Sequence, residues 1–330
     1  MAALIARRLG HGILVLFVVS LLAFLLSSLV GDPVASILGL NATPEDRAEL
    51  AQRLGLDQPF FTRYATFLWN AIHFEFATSY AAQRPVSDLL IERIPATLEL
   101  AAVALVLSLA VGIPLGLLAA VNRGRWWATA LMSASVIGLS LPTFVVGILL
   151  IFVFSVQLGW LPSFGRGETV AIGWWTTGFL TASGLKALIM PALALAISQV
   201  ALVARLVRAE MLDVLRADYI RFAKARGIKK RAIEFSHALR NTLIPVITVS
   251  GIQLGFLVAF AVVAEAVFQW PGLGLLFLQA LGSTDIPVIS AFLLLAAAFF
   301  VTINLVVDCL YVLVDPRLRA GGALGGGPTL

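Results

Sequence analysis

Charge is scarce in this sequence. Asp, Glu, Lys and Arg make up 12% of its 330 residues and apolar residues 60%, whereas about a quarter of a typical soluble domain is charged. Too few charges remain to cover a large water-soluble core, and the mean hydropathy of +0.98 indicates a chain that crosses a membrane several times. Cysteine occurs once, at Cys309 within an apolar run, so an intramolecular disulfide is excluded. His11, His73 and His237 are scattered, with no His-Glu-x-x-His pair to hold a metal. There is no Gly-x-x-x-x-Gly-Lys-[Ser/Thr] phosphate loop and no Gly-x-Ser-x-Gly elbow. The sequence therefore offers no catalytic residues, no metal site and no nucleotide site of that kind, and it does not read as an enzyme.

What it has instead is long apolar runs. A helix needs about 20 residues to cross the hydrocarbon, and six runs qualify: 12–30, 98–121, 130–157, 187–204, 246–268 and 288–312. The first follows Arg7-Arg8, but it exceeds a signal-peptide core and lacks an Ala-x-Ala site, so it reads as an uncleaved span. The pI near 9.8 raises nucleic acid as a partner. Because the basic residues flank apolar runs, membrane topology explains them better. Sixteen of the 23 Lys and Arg fall in the N-terminus, the 122–129 turn, the 205–245 loop and the C-terminus. By the positive-inside rule these are cytoplasmic. The division that follows is 1–30 for the N-terminus and first span, 31–97 for an external insertion, 98–314 for the transmembrane core, and 315–330 for a glycine-rich, flexible tail.

The 31–97 insertion carries folding signals. Thr43-Pro44-Glu45-Asp46 is a helix start, with Thr as N-cap and acids in the first turn, and Gly55 is a stop. Pro59 to Phe76 forms an aromatic, amphipathic segment suited to the membrane interface. Pro114 and Pro142 predict kinks in the second and third spans. Gly112/Gly116 and Gly251/Gly255 have GxxxG spacing, whose default meaning is close helix packing. Ser250, Gln253, Gly251 and Gly255 are candidates for either the path or a helix interface. Few ionisable groups lie deep in the spans. Glu265, near the external end of the fifth, either snorkels to water or caps a neighbour. Asn304 and Asp308, four residues apart in the sixth, read as a structural hydrogen-bond clamp.

The most charged stretch is 205–245, with ten Lys and Arg against four acids, a net +6. Within it Asp218-Tyr-Ile-Arg-Phe-Ala-Lys-Ala-Arg-Gly227 predicts a short helix with a glycine stop, and His237-Ala-Leu-Arg-Asn-Thr-Leu-Ile-Pro245 a second helical piece. By residue pattern alone it is either a solvated basic loop on anionic lipid or a helix gripped by a protein cleft.

This segment resembles the cytoplasmic EAA loop of ABC importer permeases, most of all the dipeptide/oligopeptide/nickel branch. Arg221 and Phe222 replace the literal Glu-Ala, while Ala223 and Gly227 keep the skeleton. The resemblance extends through Gly31-Asp-Pro33, Leu54-Gly-Leu-Asp-Gln-Pro59, Glu92-Arg-Ile-Pro-Ala-Thr-Leu98 and Gly159-Trp-Leu-Pro162. It continues through Glu265-Ala-Val-Phe-Gln-Trp-Pro-Gly-Leu-Gly274, Asp285-Ile-Pro287, Asn304-Leu-Val-Val-Asp308 and Asp315-Pro-Arg317. It implies an all-α membrane fold with six transmembrane helices, of the type I ABC importer (MetI-like) kind, with an external insertion after the first helix. It implies a permease subunit forming half of a peptide translocation path, with nickel chelates, glutathione or sugars as alternative substrates. Asp218, Tyr219, Arg221, Phe222, Ala223, Lys224, Arg226 and Gly227 would form the ATPase-coupling loop, with Ala223 as a small contact face and Gly227 as a turn free of side-chain bulk and with φ > 0. The implied partners are a second homologous permease chain, two ABC ATPase subunits carrying ATP and Mg, an extracytoplasmic binding protein and membrane lipid. No cofactor on this chain and no nucleic acid are implied. The location would be a bacterial or archaeal inner membrane, with both termini cytoplasmic. The rival reading is an ion- or proton-coupled carrier acting alone.

Overall fold

Inside hydrocarbon every backbone N–H and C=O must be satisfied without water, so apolar runs fold as helices. In a computed structural model describing residues 2–29, 34, 43–53 and 57–314, they do. Along the chain lie α1 (Ala2–Leu29), α2 (Pro44–Arg53), α3 (Phe60–Ile72), α4 (Val86–Val121), α5 (Trp126–Ser140) and α6 (Thr143–Leu150), the last continued as a π-helical stretch, Ile151–Gln157. A hairpin of β1 (Val170–Ile172) and β2 (Trp175–Thr177) precedes α7 (Ala182–Val214), α8 (Asp218–Ala225) and the short α9 (Lys230–Ala232). A second π-helical stretch, Ile233–Ala238, leads into α10 (Leu239–Phe268), α11 (Leu273–Gly282) and α12 (Ile286–Val314). The antiparallel hairpin, with Val170 opposite Thr177, and an isolated bridge between Thr78 and Pro85 depart from an all-helical reading.

Among the described residues five helices, α1, α4, α7, α10 and α12, are long and apolar enough to cross a membrane. A sixth crossing results if α5 and α6 with its continuation count as one. That pair is bent by 102°, so the single span expected over 130–157 is broken. Pro142 is the cause: Leu141 before it is extended at ψ 123°, and α6 restarts after it. Pro114 has no such effect and is absorbed within α4, as are Pro191 in α7 and Pro245 in α10. Helix ends also move. α4 starts at Val86, inside the expected insertion, while α7 runs on to Val214 and α10 begins at Leu239. The part of the basic segment between these two long helices therefore shrinks to 215–238. The expected starts and stops at Gly31-Asp-Pro33, Gly55 and 315–330 lie outside the described residues.

Packing fixes relative direction. Gly112 and Gly116 of α4 face Val203 and Val207 of α7, so these two run parallel. Gly251 and Gly255 of α10 face Val307 and Phe300 of α12, while Gly12 of α1 faces Val301 and the Ala23 carbonyl accepts from Ser290 Oγ, so both pairs are antiparallel. Both ends of the described chain and α8 consequently share one end of the bundle, here the basic end. The β-hairpin and α11 sit at the opposite end. Near that end a core of α4, α7 and α10 side chains, including Leu100, Leu188, Leu195 and Leu257, closes over Trp270. Toward the basic end a second core joins Leu117, Val207, Met211 and Val246 to the underside of α8.

Two local expectations hold. Thr43 caps α2, its hydroxyl accepting from the Asp46 N–H at 3.2 Å and donating to the Asp46 carboxylate at 2.7 Å. The aromatic segment forms α3, whose Tyr64 hydroxyl meets Ser20 of α1 at 2.7 Å, while Phe61 and Trp69 remain exposed.

Candidate functional site

The charged row of the basic segment forms α8, and its two faces differ. Ile220 and Ala223, three residues apart, point inward and are buried beside Val207, Met211 and Ile233. Tyr219 and Phe222, at 46% and 65% exposure, point out with Asp218, Arg221 and Arg226, while Lys224 is exposed at the border of the buried face. The Arg226 guanidinium lies 5.7 Å from the Phe222 ring centroid, within cation–π reach. Arg221 pairs with Asp218 at 3.3 Å, and Asn241 of α10 donates to the Tyr219 hydroxyl at 2.7 Å. The helix ends in a Schellman motif: Gly227 N–H donates to Lys224 C=O at 3.0 Å and Ile228 N–H to Ala223 C=O at 3.2 Å. Gly227 takes φ +74°.

Two expectations change here. Ala223 is no external contact face, because its methyl fills the seam between α8 and the spans; Phe222 is what α8 presents. Gly227 is not needed for lack of bulk, since a Cβ there would meet nothing within 4 Å. The other half of that expectation holds: its positive φ is what requires glycine.

The other predicted residues disperse. Gly251 and Gly255 are helix-interface positions against α12. Gln253 donates to Gln199 of α7 at 3.0 Å, and the buried Ser250 hydroxyl has no hydrogen-bond partner among the described residues. Asn304 is half-buried in α12, and the Asp308 side chain lies outside the described residues. Glu265 does not snorkel; it is fully buried. It accepts from Thr97 Oγ1 at 2.6 Å and from Leu275 N–H at 2.9 Å, while Thr97 Oγ1 accepts from Leu273 N–H at 2.8 Å. Those donors open α11, whose first N–H groups have no partner within the helix. Glu265 is thus a cap, its carboxyl set at the positive end of that helix dipole.

Sequence reasoning missed two more buried carboxylates at this end. Glu99 of α4 pairs with Arg166 at 2.6 Å, the two side chains 3% and 6% exposed. Trp175 Nε1 also donates to Glu99 at 3.1 Å, and Arg166 donates to the Thr176 carbonyl at 2.6 Å, so the pair fastens the hairpin to α4. The Arg166 guanidinium also lies 5.9 Å from the Trp270 ring centroid. Asp285, before α12, accepts from Ser79 Oγ at 2.5 Å, Tyr80 N–H at 3.2 Å and Ala81 N–H at 3.1 Å. The available signal was Glu99 itself, a charge in an apolar run, which demands a partner.

Comparison with known proteins agrees with this architecture. The family model "Binding-protein-dependent transport system inner membrane component" matches residues 112–320, and its N-terminal companion matches residues 1–101. A Brucella abortus (strain 2308) protein, named as a peptide transport system permease, is 40% identical over 322 residues, 97% of this chain and 99% of that protein. The glutathione transport system permease protein GsiC of Escherichia coli (strain K12) is 40% identical over 316 residues, 96% of this chain and 98% of its own length. Among solved structures, a chain of the inward-facing MetNI methionine ABC transporter superposes with TM-score 0.55 at 22% identity, covering 69% of this chain and 96% of that one. That likeness supports the MetI-like fold. This multi-pass membrane chain, a transport permease subunit of the ABC importer type, belongs to the binding-protein-dependent transport system inner membrane component family.

Proposed function

We propose that the chain forms half of a translocation path for di- or oligopeptides and that α8 is the element through which two separate ATPase subunits drive it. The carrying observation is the two-faced α8: a helix locked to the spans through Ile220 and Ala223 that presents Tyr219, Phe222 and a ring of charges outward. A buried aromatic with flanking charge is what a protein cleft grips best. The basic end, holding both chain ends and α8, faces the cytoplasm by the positive-inside rule. ATP and Mg reside on the ATPase chains, a second homologous permease completes the path, and a binding protein delivers substrate at the opposite end. The peptide assignment draws on the relatives named for peptide and glutathione transport, glutathione being itself a tripeptide. Nickel chelates and sugars are the alternatives that a ligand screen of the binding protein decides.

An ion-coupled carrier is the weaker reading. It needs a carboxylate free to take and release the ion. Glu99, Glu265 and Asp285 each hold protein donors instead. Cross-linking tests the proposal: Phe222→Cys in a Cys309→Ser background, with single cysteines along the cleft of the co-expressed ATPase. Nucleotide-sensitive disulfides are expected. Failure at every cleft position, together with ready labelling of the thiol by lipid-phase probes, would overturn the coupling role.

A further inference from the structure

Behind α8 lies a cavity of about 510 Å³ whose walls come from the α4–α5 turn, the end of α7, α8 itself and the α9 region. Arg123, Arg216, Lys224 and Lys230 line it, with a single acid, Glu234. Lys230 reaches Glu234 at 3.7 Å. Arg123, Arg216 and Lys224 form no ion pair among the described residues, so three uncompensated cations converge on one concavity. Their mutual repulsion favours a bound anion. The apolar run 98–121 ends at Val121, which also lines the cavity, so the site opens where apolar sequence gives way to the basic 122–129 turn. An apolar floor that includes Leu215 and Ile233 suits a ligand with a charged head and an apolar remainder.

We infer that this cavity is a binding site for the phosphodiester headgroup of an anionic phospholipid. The headgroup phosphate accepts hydrogen bonds from Arg123 and Arg216, and Lys224 closes over it from α8. Such a lipid ties α8 to the end of α4 and so stiffens the link between coupling helix and spans. That consequence rests on the coupling role proposed above; binding itself does not.

The test uses the assembled transporter, stripped of lipid in detergent and titrated with phosphatidylglycerol or phosphatidylcholine, with bound lipid counted by native mass spectrometry. One phosphatidylglycerol per copy of this chain is expected to bind tightly, and phosphatidylcholine weakly. Neutralising Arg123, Arg216 and Lys224 to Gln should weaken phosphatidylglycerol about 100-fold, each cation near a membrane surface contributing about a factor of five. A matched variant with Lys229, Arg231 and Arg240 changed to Gln removes equal charge outside the cavity and should retain the lipid. Equal loss in both variants would overturn the site in favour of diffuse attraction. Displacement by inorganic phosphate would assign it to a soluble anion, and no lipid bound in the wild-type complex would mean the ATPase covers it. Either outcome sinks the inference. A complex that binds the lipid but fails the Phe222 cross-linking would overturn the coupling role alone.

Discussion

Replacing Gly227 separates backbone conformation from bulk at the end of α8. At φ +74° an L-residue other than glycine pays about 1–2 kcal/mol in the left-handed region, a factor of roughly 5–30 in the population of the closed turn. Because a Cβ there meets open space within 4 Å, Gly227→Ala and Gly227→Trp should suffer alike, and size should not matter. Gly227→Asn should suffer least, since asparagine visits this region at lower cost. Gly227→Pro should be worst: it fixes φ near −65° and removes the N–H that donates to Lys224. In reconstituted complexes, transport-stimulated ATPase activity should fall in the order Gly, Asn, then Ala with Trp, then Pro. Membrane insertion, read by chain abundance, should hold throughout. If Trp proves far worse than Ala, an external surface presses on this turn and the open-space reading is wrong. If Pro couples like wild type, α8 is not the coupling element.

Three further outcomes follow from the packing. Glu99→Gln leaves Arg166 buried without its carboxylate, at a cost of about 3–5 kcal/mol, and pairing it with Arg166→Met should recover much of the loss, both read by thermal unfolding in detergent. Glu265→Gln sets an amide donor against the N–H groups that open α11 and should lower stability by about 1–3 kcal/mol, whereas a snorkelling side chain would leave the melting temperature unchanged. Gly116→Val drives a Cβ to 2.5 Å from the Ala204 carbonyl oxygen, where backbone must move, so chain abundance in membranes should drop; wild-type abundance would contradict the parallel seam.

The sequence exposed its helices because an apolar run in hydrocarbon has few other options, and local chemistry was equally readable at Thr43, Pro142 and Gly227. Helix ends were less readable. α7 carries Arg205, Arg208 and Glu210 beyond the apolar run without stopping, because a helix leaving the membrane need not end where hydropathy does. Pro114 and Pro142 look alike in sequence, yet α4 absorbs the first among close neighbours while the second follows an extended Leu141. The least readable features were the long-range polar contacts. Glu99 meets Arg166 across 67 residues and Asp285 meets Ser79 across 206, and no local periodicity encodes such a pairing. The inward turn of Ala223 was missed for the same reason: which face of an eight-residue helix is buried depends on what lies beneath it.

Those contacts bear on how a push on α8 travels. α4 has 36 residues and α7 has 33, so each is about 50 Å long at 1.5 Å per residue, more than the roughly 30 Å of hydrocarbon. They lie parallel with glycines against valines at Gly112 and Gly116, and such close-packed seams have no slack in which one helix slides without displacing backbone. At the basic end α8 is packed onto this pair through Ile220 and Ala223. At the other end Glu99 of α4 grips the hairpin through Arg166 and Trp175, and Thr97 of α4 meets Glu265 of α10. On the coupling role proposed above, a displacement entering at α8 reaches the hairpin and α11 through one stiff pair, whereas α5 and α6, bent by 102° at Pro142, form the jointed element beside it.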